Sequence, residues 1–233
     1  MRSLLFLPDS ARGMKMIGKD IKAVLFDMDG TLTDTEKYYQ QAWPKAMAHF
    51  GHEMTKEMTL SLRSLGRPFA PLQFKEWFGE DLDYFEVREY RRGLVEELVR
   101  EHGIPLKPGA KEILIWLREN GIFTALVTAN EYPRAGRYLK KIDLFGYFDK
   151  IICANMVEKG KPAPDIYAFA CKELGLDPSE TFAVEDSPNG VTSAYDAGCN
   201  VIMVPDLTQP DEELSGKLFK KLDSLVEIKS LFE

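Results

Sequence analysis

Short apolar runs that end in small or acidic residues recur along the chain and alternate with helix-patterned segments. Each run is continuous rather than alternating with polar residues, which is typical of a strand buried on both faces of a sheet. The helical patterns between them end at Gly121, Gly175 and Gly198, as expected of glycine C-caps. Strands that alternate with helices in this way predict an α/β fold with a mostly parallel sheet. The predicted strands are residues 22–27, 122–128, 150–154, 181–186 and 200–206.

A long segment between the first two predicted strands breaks this alternation, because it carries helical patterns and no strand pattern. It is too long for one crossover helix, so the sequence predicts an inserted helical domain. We place that domain at residues 35–107, between two parts of a core domain at residues 20–34 and 108–233. The helical patterns of the insertion cover residues 36–50, 71–78 and 82–102.

The first nineteen residues are expected to form a loose N-terminal extension. Their only apolar run is the four residues Leu4–Leu7, which Pro8 ends, whereas a signal peptide needs about seven to fifteen apolar residues. We therefore predict no signal peptide. Met14 and Met16 are candidate native starts, which leaves open whether residues 1–13 belong to the natural protein.

The charge and cysteine content narrow the partners and the compartment. Asp and Glu number 37 against 30 Lys and Arg, a net charge of −7, which argues against nucleic acid or an anionic membrane as a main partner. The longest apolar runs are about five residues, far below the ~20 of a membrane span. The cysteines form no CxxC pair, so neither a disulfide framework nor a zinc site is expected, and we predict a cytoplasmic protein. They are Cys153, Cys171 and Cys199.

Polar side chains follow the carboxyl ends of the predicted strands, the edge at which an open parallel sheet binds ligands. Carboxylates that converge there repel one another unless positive charge compensates them. A lysine supplies one positive charge, and a divalent cation would supply two more. Because these motifs offer hard oxygen ligands and have no His or Cys close by, Mg²⁺ is favoured over Zn²⁺ as that cation. The converging residues are Asp27, Asp29, Thr128, Lys161, Glu185 and Asp186. The histidines fall in the predicted insertion and are interpreted as surface or packing residues: His49, His52 and His102.

Four motifs appear in a fixed order, and together they resemble a known superfamily. The chain from Ile21 to its last residue is similar to the haloacid dehalogenase-like hydrolases, in the branch with a helical cap that includes β-phosphoglucomutases and phosphoglycolate phosphatases. A DxDGT string alone arises by chance about once in 10⁵ positions, so coincidence over four motifs is negligible. The resemblance implies a Rossmann-like three-layer α/β core and an inserted α-helical cap. The motifs are DMDGTLTDTE (27–36), LVTAN (126–130), GKPAPDIY (160–167) and AVEDSPNGVTSAYDAG (183–198).

The resemblance also implies the two catalytic carboxylates. Asp27 would be the nucleophile that attacks phosphorus and forms an aspartyl-phosphate. Asp29 would protonate the leaving alcohol and then activate water as a base. The metal-free dehalogenases of the superfamily lack an acid at the position of Asp29, so its presence favours phosphate chemistry. Gly30 permits the tight turn that places the two carboxyl groups side by side.

The remaining core motifs would bind phosphate and metal. Thr128 would donate its hydroxyl to a phosphoryl oxygen, with a backbone N–H of Ala129 or Asn130 beside it. Lys161 would hold the nucleophile and the phosphate together as a point charge. The implied Mg²⁺ ligands are the Asp27 side chain, the Asp29 backbone carbonyl and Asp186. Glu185 is either a further ligand or a residue that lies behind the ligands.

The cap would select the substrate through a loop at residues 61–72, in which Arg67 stands where relatives place a substrate-binding arginine. Arg67 is therefore predicted to bind substrate, although Pro68 departs from the common pattern of the loop. Tyr39 is a second departure, because the β-phosphoglucomutases have a histidine at this place in the first cap helix. Its absence weighs against a mutase.

Three functions remain open from the sequence. The leading one is a Mg²⁺-dependent phosphatase that acts on a small phosphorylated metabolite through an aspartyl-phosphate. The alternative is an isomerase of the β-phosphoglucomutase type, which transfers phosphate between two positions of one sugar. A non-catalytic binding protein on the same scaffold is the third, disfavoured because all the catalytic positions are filled. The sequence leaves monomer and dimer open.

Overall fold

A computed structural model describes residues 20–233, and the predicted N-terminal extension lies outside the described residues. The described part contains one sheet of six parallel strands in the order β3-β2-β1-β4-β5-β6. The predicted α/β class with a parallel sheet is confirmed. The strands are Ala23–Phe26 (β1), Phe123–Thr128 (β2), Lys150–Cys153 (β3), Thr181–Glu185 (β4), Asn200–Met203 (β5) and Lys220–Lys221 (β6).

Strand β1 occupies the middle of the sheet because all four of its residues are buried on both faces. Its last residue, Phe26, pairs with Leu126 of β2 on one side and Val184 of β4 on the other. The chain runs outward from β1 through β2 to β3 and then returns to place β4 beside β1. The strand order therefore reverses at β1, and ligands of open α/β sheets bind at such a switch point.

Helices cover both faces of the sheet and complete the three layers of the Rossmann-like core. One apolar cluster joins β1 and β2 to α5 and α6 through residues such as Phe26, Ile113 and Leu139. The other joins the opposite face to α7 and α8, through residues such as Leu25 and Tyr167. The α-helices are Glu36–His49 (α1), Lys56–Ser61 (α2), Phe69–Phe78 (α3), Tyr84–His102 (α4), Ala110–Glu119 (α5), Tyr132–Lys141 (α6), Asp165–Leu174 (α7), Pro188–Asp196 (α8) and Glu212–Ser215 (α9).

Helices α1 to α4 form the insertion between β1 and β2, hereafter the helical segment, and have a core of their own. Trp43, Met47, Phe74 and Val87 are buried together in it, and α1 packs along α4. Amphipathic helices this short are marginal alone, so burial of these apolar faces against one another stabilises the segment.

The two chain connections of the helical segment run side by side. Thr33 and Leu106 form an antiparallel bridge. The Asp34 N–H donates to the Pro105 carbonyl at 2.8 Å, and the Lys107 N–H donates to the Leu32 carbonyl at 2.9 Å. These main-chain bonds join the outgoing and the returning chain, so the helical segment is attached to the core by two hydrogen-bonded connections, hereafter the paired connection.

The predicted elements were found with bounds that differ by a few residues, whereas the short elements α2, α9 and β6 and the helix α6 were not predicted. Helix α3 begins two residues before the predicted Pro71, because a proline in the first helical turn loses no intrahelical hydrogen bond. Helix α2 was not predicted, since six residues carry too little periodicity. Helix α6 was missed because Pro133 and Gly136 interrupt its pattern, although Ala135, Tyr138 and Leu139 form a buried stripe.

A second contact between the helical segment and the core consists of main-chain atoms. The Gly66 N–H donates to the Lys161 carbonyl at 2.8 Å, and the Gly160 N–H donates to the Arg67 carbonyl at 2.7 Å. A Cβ placed on Gly66 would come within 2.7 Å of the Gly160 Cα. Asn189 adds side-chain bonds to the same loop, to the carbonyls of Ser61 at 2.9 Å and Arg63 at 2.8 Å.

The helices and the cysteines of the described residues bear on the predictions made from apolar runs and from cysteine content. Helices in the described range of 20–233 are all too short or too polar to cross a membrane. The three cysteines are buried and unoxidised, with the Cys171 and Cys199 sulfurs 3.9 Å apart. Burial raises the pKa of the Cys153 thiol to about 12, which makes it unreactive.

Two glycine-to-alanine changes are expected to shift stability in opposite directions. Gly66→Ala should lower the free energy of unfolding by about 1–3 kcal/mol, because the added methyl meets main-chain atoms of Gly160. Gly93→Ala should raise it by about 0.5–1 kcal/mol, because Gly93 lies exposed in the middle of α4 with open space around it. Urea unfolding measures both, and a change of the same sign in both variants would contradict the tight contact.

Candidate active site

The turn after β1 places two carboxylates at the switch point of the sheet. Asp27 is buried directly after the strand, and Asp29 lies half-buried two residues later. Gly30 has a φ of +89°, and a Cβ there would lie 2.2 Å from the Asp186 carboxylate. Only glycine fits this turn, and Gly30 thereby lets Asp186, which follows β4, approach the carboxylates of β1.

The side-chain ammonium of Lys161 is the centre of the site and is fully buried. It donates to Asp27 Oδ1 and to Glu185 Oε1, each at 2.6 Å, and to the Val127 carbonyl at 3.0 Å. These three acceptors use all three of its N–H groups. Burial alone would lower the pKa of Lys161, but the charges of Asp27 and Glu185 raise it above its ordinary value, so the ammonium stays protonated.

Glu185 lies behind Lys161 and is surrounded by donors. Its Oε1 also accepts from the Tyr167 hydroxyl at 2.7 Å, while Oε2 accepts from the Asp186 N–H at 3.2 Å and the Ser187 hydroxyl at 3.4 Å. A Cβ on Gly190 would lie about 2 Å from this carboxylate. Two roles are open for Glu185, as a further metal ligand or as a residue behind the ligands. These hydrogen bonds favour the second role, in which Glu185 positions Lys161, because a metal ion would have to displace one of the donors.

Asp27 Oδ2 is an unsatisfied acceptor of the site, since it is buried without a hydrogen-bond partner among the described residues. Burial raises the pKa of Asp27 to about 8, although Lys161 opposes the rise. Ligand oxygens of Asp27, Glu185 and Asp186 lie within 4.8 Å of one another. An orphaned carboxylate oxygen in an all-oxygen set fits a hard divalent cation such as Mg²⁺.

Asp29 is held by hydroxyl and amide donors rather than by a cation. Its Oδ1 accepts from the Thr35 hydroxyl and its Oδ2 from the Asn130 side-chain amide, both at 2.5 Å. The Asn130 N–H and amide each donate to Thr128 Oγ1 at 3.1 Å. Two donors on the Thr128 oxygen leave its hydroxyl proton free to donate outward. Asp29, Thr128 and Asn130 are thus brought together, as the sequence predicted.

Arg63 is a residue of this site that the sequence analysis missed. It reaches from the helical segment into the core, where its guanidinium pairs with the Asp186 carboxylate and donates to the Asp186 carbonyl at 3.2 Å. Its Nε also lies 3.7 Å from Glu36 Oε2. Burial raises the pKa of Glu36 to about 8, against the opposing charge of Arg63. The sequence feature that could have identified Arg63 is its place in the loop at residues 61–72, four residues before Arg67.

One cavity of about 280 Å³ lies above Asp27 and Asp29, between the core and the helical segment. Ala129 and Asn130 line it from the core. The predicted substrate residue Arg67 also lines it but is exposed, and its carbonyl is bonded to Gly160. The volume of the cavity suits a small ligand rather than a macromolecule.

The match to known proteins agrees with this geometry. A family model described as haloacid dehalogenase-like hydrolase matches residues 21–198, well over half of the chain. The chain belongs to the haloacid dehalogenase-like hydrolases. The predicted family is confirmed, and with it the enzyme class of phosphoric monoester hydrolase.

Several characterised relatives of this haloacid dehalogenase-like hydrolase are phosphatases. It is 34% identical over 183 residues to hexitol phosphatase A of Escherichia coli, covering 78% of this chain and 82% of that protein. It is 32% identical over 188 residues to the phosphorylated carbohydrates phosphatase of Thermotoga maritima, covering 76% and 82%. A crystal structure of a mutant CbbY from Rhodobacter sphaeroides with xylulose 1,5-bisphosphate superposes with a TM-score of 0.75, at 28% identity and 89% and 96% coverage.

Removal of the buried ammonium is expected to destabilise this hydrolase strongly. Lys161→Met should lower the free energy of unfolding by about 3–5 kcal/mol, because Asp27 and Glu185 would be left as buried, uncompensated carboxylates. Lys159→Met removes an exposed lysine of the same loop and should change it by less than about 0.5 kcal/mol. Urea unfolding measures both, and addition of Glu185→Gln to Lys161→Met should restore part of the loss. No recovery in that double variant would contradict the charge argument.

Proposed function

We propose that this hydrolase is a Mg²⁺-dependent phosphatase that hydrolyses a small phosphorylated metabolite through an aspartyl-phosphate on Asp27. The observation that carries the proposal is the state of the Asp27 carboxylate. Lys161 holds one of its oxygens, while the other is buried without a hydrogen-bond partner among the described residues, in a carboxylate that belongs to the cluster with Glu185 and Asp186. A carboxylate fixed in this way next to a second, differently bonded carboxylate suits nucleophilic catalysis.

The reaction follows from the two carboxylates of the β1 turn. In the first step an Asp27 oxygen forms a bond to phosphorus, the bond from phosphorus to the leaving oxygen breaks, and Asp29 gives its proton to that oxygen. In the second step Asp29 takes a proton from a water molecule, whose oxygen attacks phosphorus and frees the Asp27 carboxylate. Thr35 and Asn130 hold Asp29 in place through both steps.

The residues that would hold Mg²⁺ are the Asp27 and Asp186 carboxylates and the backbone carbonyl of Asp29. When bound, the ion supplies positive charge to the phosphoryl oxygens and favours the ionised form of Asp27. Glu185 lies close enough to take part, but its hydrogen bonds support the role of holding Lys161. Arg63 would have to share Asp186 with the ion.

The phosphate group would be held by residues at the ends of β2 and β3. Thr128 donates its free hydroxyl proton, the backbone N–H of Ala129 beside it adds a second donor, and Lys161 lends its charge, while the Asn130 N–H orients Thr128 through its bond to Oγ1. Preorganised donors of this kind stabilise the charge that develops on phosphoryl oxygens in the transition state.

The helical segment, with its connections at residues 35–107, would act as a cap domain over the remaining core at residues 20–34 and 108–233. The paired connection at Thr33 and Leu106 supports a hinge, and the main-chain contact of Gly66 and Gly160 supports a closed position. Closure would exclude water and bring the loop of Arg67 over the substrate.

Hydrolysis is favoured over phosphotransfer by the place of Tyr39. The guanidinium carbons of Arg91 and Arg134 lie 5.0 and 5.5 Å from its ring centre, and burial raises its pKa. A neutral phenol in this position does not shuttle protons as a histidine would. The names of the relatives support a phosphorylated carbohydrate as substrate. The cytoplasmic location and the absence of nucleic-acid and membrane partners remain predictions.

Replacement of the nucleophile is expected to abolish turnover. Asp27→Asn should lower kcat for p-nitrophenyl phosphate at least ~10³-fold, because an amide is a poor nucleophile of the same shape. Phosphate release measures the rate, and circular dichroism with Mg²⁺ titration checks the fold and the metal site. A labelled substrate should mark Asp27 in the parent protein, and label on another residue would end this mechanism.

Metal dependence is expected to run through Asp186. Phosphate release by the parent protein should stop in EDTA and return with Mg²⁺, and Asp186→Ala should raise the required Mg²⁺ concentration at least ~100-fold through the loss of a ligand charge. Asp196→Ala, which removes an exposed carboxylate of α8, is the control and should leave the requirement unchanged. Full activity of the parent protein in EDTA would refute the proposed metal site.

A further inference from the structure

Arg91 of α4 is a buried cation without an anionic partner in the part of the chain that the structure describes. It is 8% exposed, and its guanidinium carbon lies 5.0 Å from the ring centre of Tyr39 and 4.6 Å from that of Trp43. Within residues 20–233 it forms no salt bridge or hydrogen bond, and its Nε is buried without an acceptor. Two aromatic faces compensate a guanidinium only in part, because they return less than its hydration provides.

Arg134 of α6 faces the same ring from the core. It is 5% exposed and lies 5.5 Å from the ring centre of Tyr39. It donates to the Tyr138 hydroxyl at 2.9 Å, and its Nε is 3.4 Å from Glu96 Oε1. That Glu96 oxygen also accepts from Arg137 at 2.8 Å and from Tyr138 at 2.9 Å, so its charge is divided among three donors.

The two arginines therefore bring like charges to the same ring, that of Tyr39. Burial lowers the pKa of Arg91, against an opposing effect of Tyr39, and the charge of Arg134 lowers it further. Burial also disfavours the charged form of Arg134, but Tyr39, Tyr138 and Asp29 outweigh it and raise the pKa of Arg134. Both guanidinium groups therefore stay charged, and each has a buried Nε without a hydrogen-bond acceptor among the described residues, which an anion can supply.

The cavity above Asp27 and Asp29 contains both of these groups. Its arginines are Arg63, Arg67, Arg88, Arg91, Arg92 and Arg134. Most of the others have carboxylate partners within the described residues: Arg63 pairs with Asp186, Arg88 with Glu131 at 3.4 Å and Arg92 with Glu89 at 3.1 Å. Arg67 is exposed at the loop. Arg91 has no anionic partner among the described residues, and Arg134 has a carboxylate oxygen of Glu96 at 3.4 Å that forms no hydrogen bond with its Nε. These two are the least compensated buried charges of the cavity.

We infer that Arg91 and Arg134 bind a second anionic group of the substrate, at the end away from the phosphate that Asp27 attacks. The substrate class is then a small phosphate monoester that carries a further phosphate or carboxylate. The planar guanidinium groups match either anion through paired N–H donors. This inference rests on the proposed function, since it assigns the other end of the same substrate. Because Arg91 belongs to the helical segment and Arg134 to the core, the anion would join the two.

Matched pairs of probes test the subsite by binding. Isothermal titration with Mg²⁺, in the Asp27→Asn background that prevents turnover, compares fructose 1,6-bisphosphate with fructose 6-phosphate. A second comparison is 3-phosphoglycerate with glycerol 3-phosphate. We expect the probe with the second anion to bind at least tenfold more tightly in one or both pairs, and the pair that responds distinguishes phosphate from carboxylate. A ratio below threefold in both pairs would overturn the subsite.

Variants of the arginine separate anion binding from a structural role. Arg91→Gln should reduce the affinity ratio below threefold, whereas Arg91→Lys, which keeps the charge but loses the planar fork, should give an intermediate ratio. Arg100→Gln removes the same charge from an exposed position of α4 outside the cavity and should leave the ratio unchanged. Equal weakening of both members of a pair in Arg91→Gln would show a structural role and contradict the inference.

Two further measurements distinguish an unfolded variant, or an inactive parent protein, from the absence of an anion subsite. If Arg91→Gln is unfolded by thermal melting, Arg134→Gln is measured in its place against the same expected loss of ratio. Hydrolysis of p-nitrophenyl phosphate by the parent protein tests the proposed function separately. An inactive parent protein would overturn the phosphatase, while the affinity ratios would still decide whether a second anion is bound.

Discussion

The hydrogen bonds of the Lys161 ammonium connect the three central strands of the sheet. A buried ammonium is very costly to desolvate and persists only when its N–H groups all find acceptors. Its acceptors come from β1, β2 and β4, through Asp27, Val127 and Glu185. The three central strands must therefore keep their register for the charge to be compensated. Catalytic geometry and stability of the core depend on the same three bonds.

A gradient of charge extends from this point across the cavity. The bottom, at the carboxyl edge of the sheet, is acidic through Asp27 and Asp29, whereas the upper part is basic through Arg91 and Arg134. Such a gradient orients a dipolar or doubly charged ligand before any specific contact forms. The acidic end needs a cation to accept a phosphate, while the basic end accepts an anion directly.

The parts of the site that could be predicted from the sequence are those that short segments determine. Asp27, Thr128 and Asp186 each end a strand that is buried on both faces, and neighbouring parallel strands place their ends at one edge. Their convergence follows from the pattern of the sheet alone. Their chemical roles rest on the resemblance of the motifs and await the experiments.

The missed residues depend on contacts between distant segments. Arg91 looks like one of many charges on the polar face of α4, and its burial is decided by the aromatic rings of α1 and by α6, which was itself not predicted. Arg63 pairs with a carboxylate 123 residues further along the chain. No periodicity reports such a pairing, and an arginine in a sequence is most often solvated.

The contact of Gly66 with Gly160 has a consequence for the divergence of this family of enzymes. Main-chain atoms form it, and within the described part of the chain the one charged side chain of the loop that pairs with the core beside it is Arg63. If the proposed closure operates, exposed positions such as Arg67 can change with the substrate while the main-chain fit is kept. A new specificity can then arise by substitutions around this contact, but substitution of either glycine would disturb the proposed closure for every substrate alike.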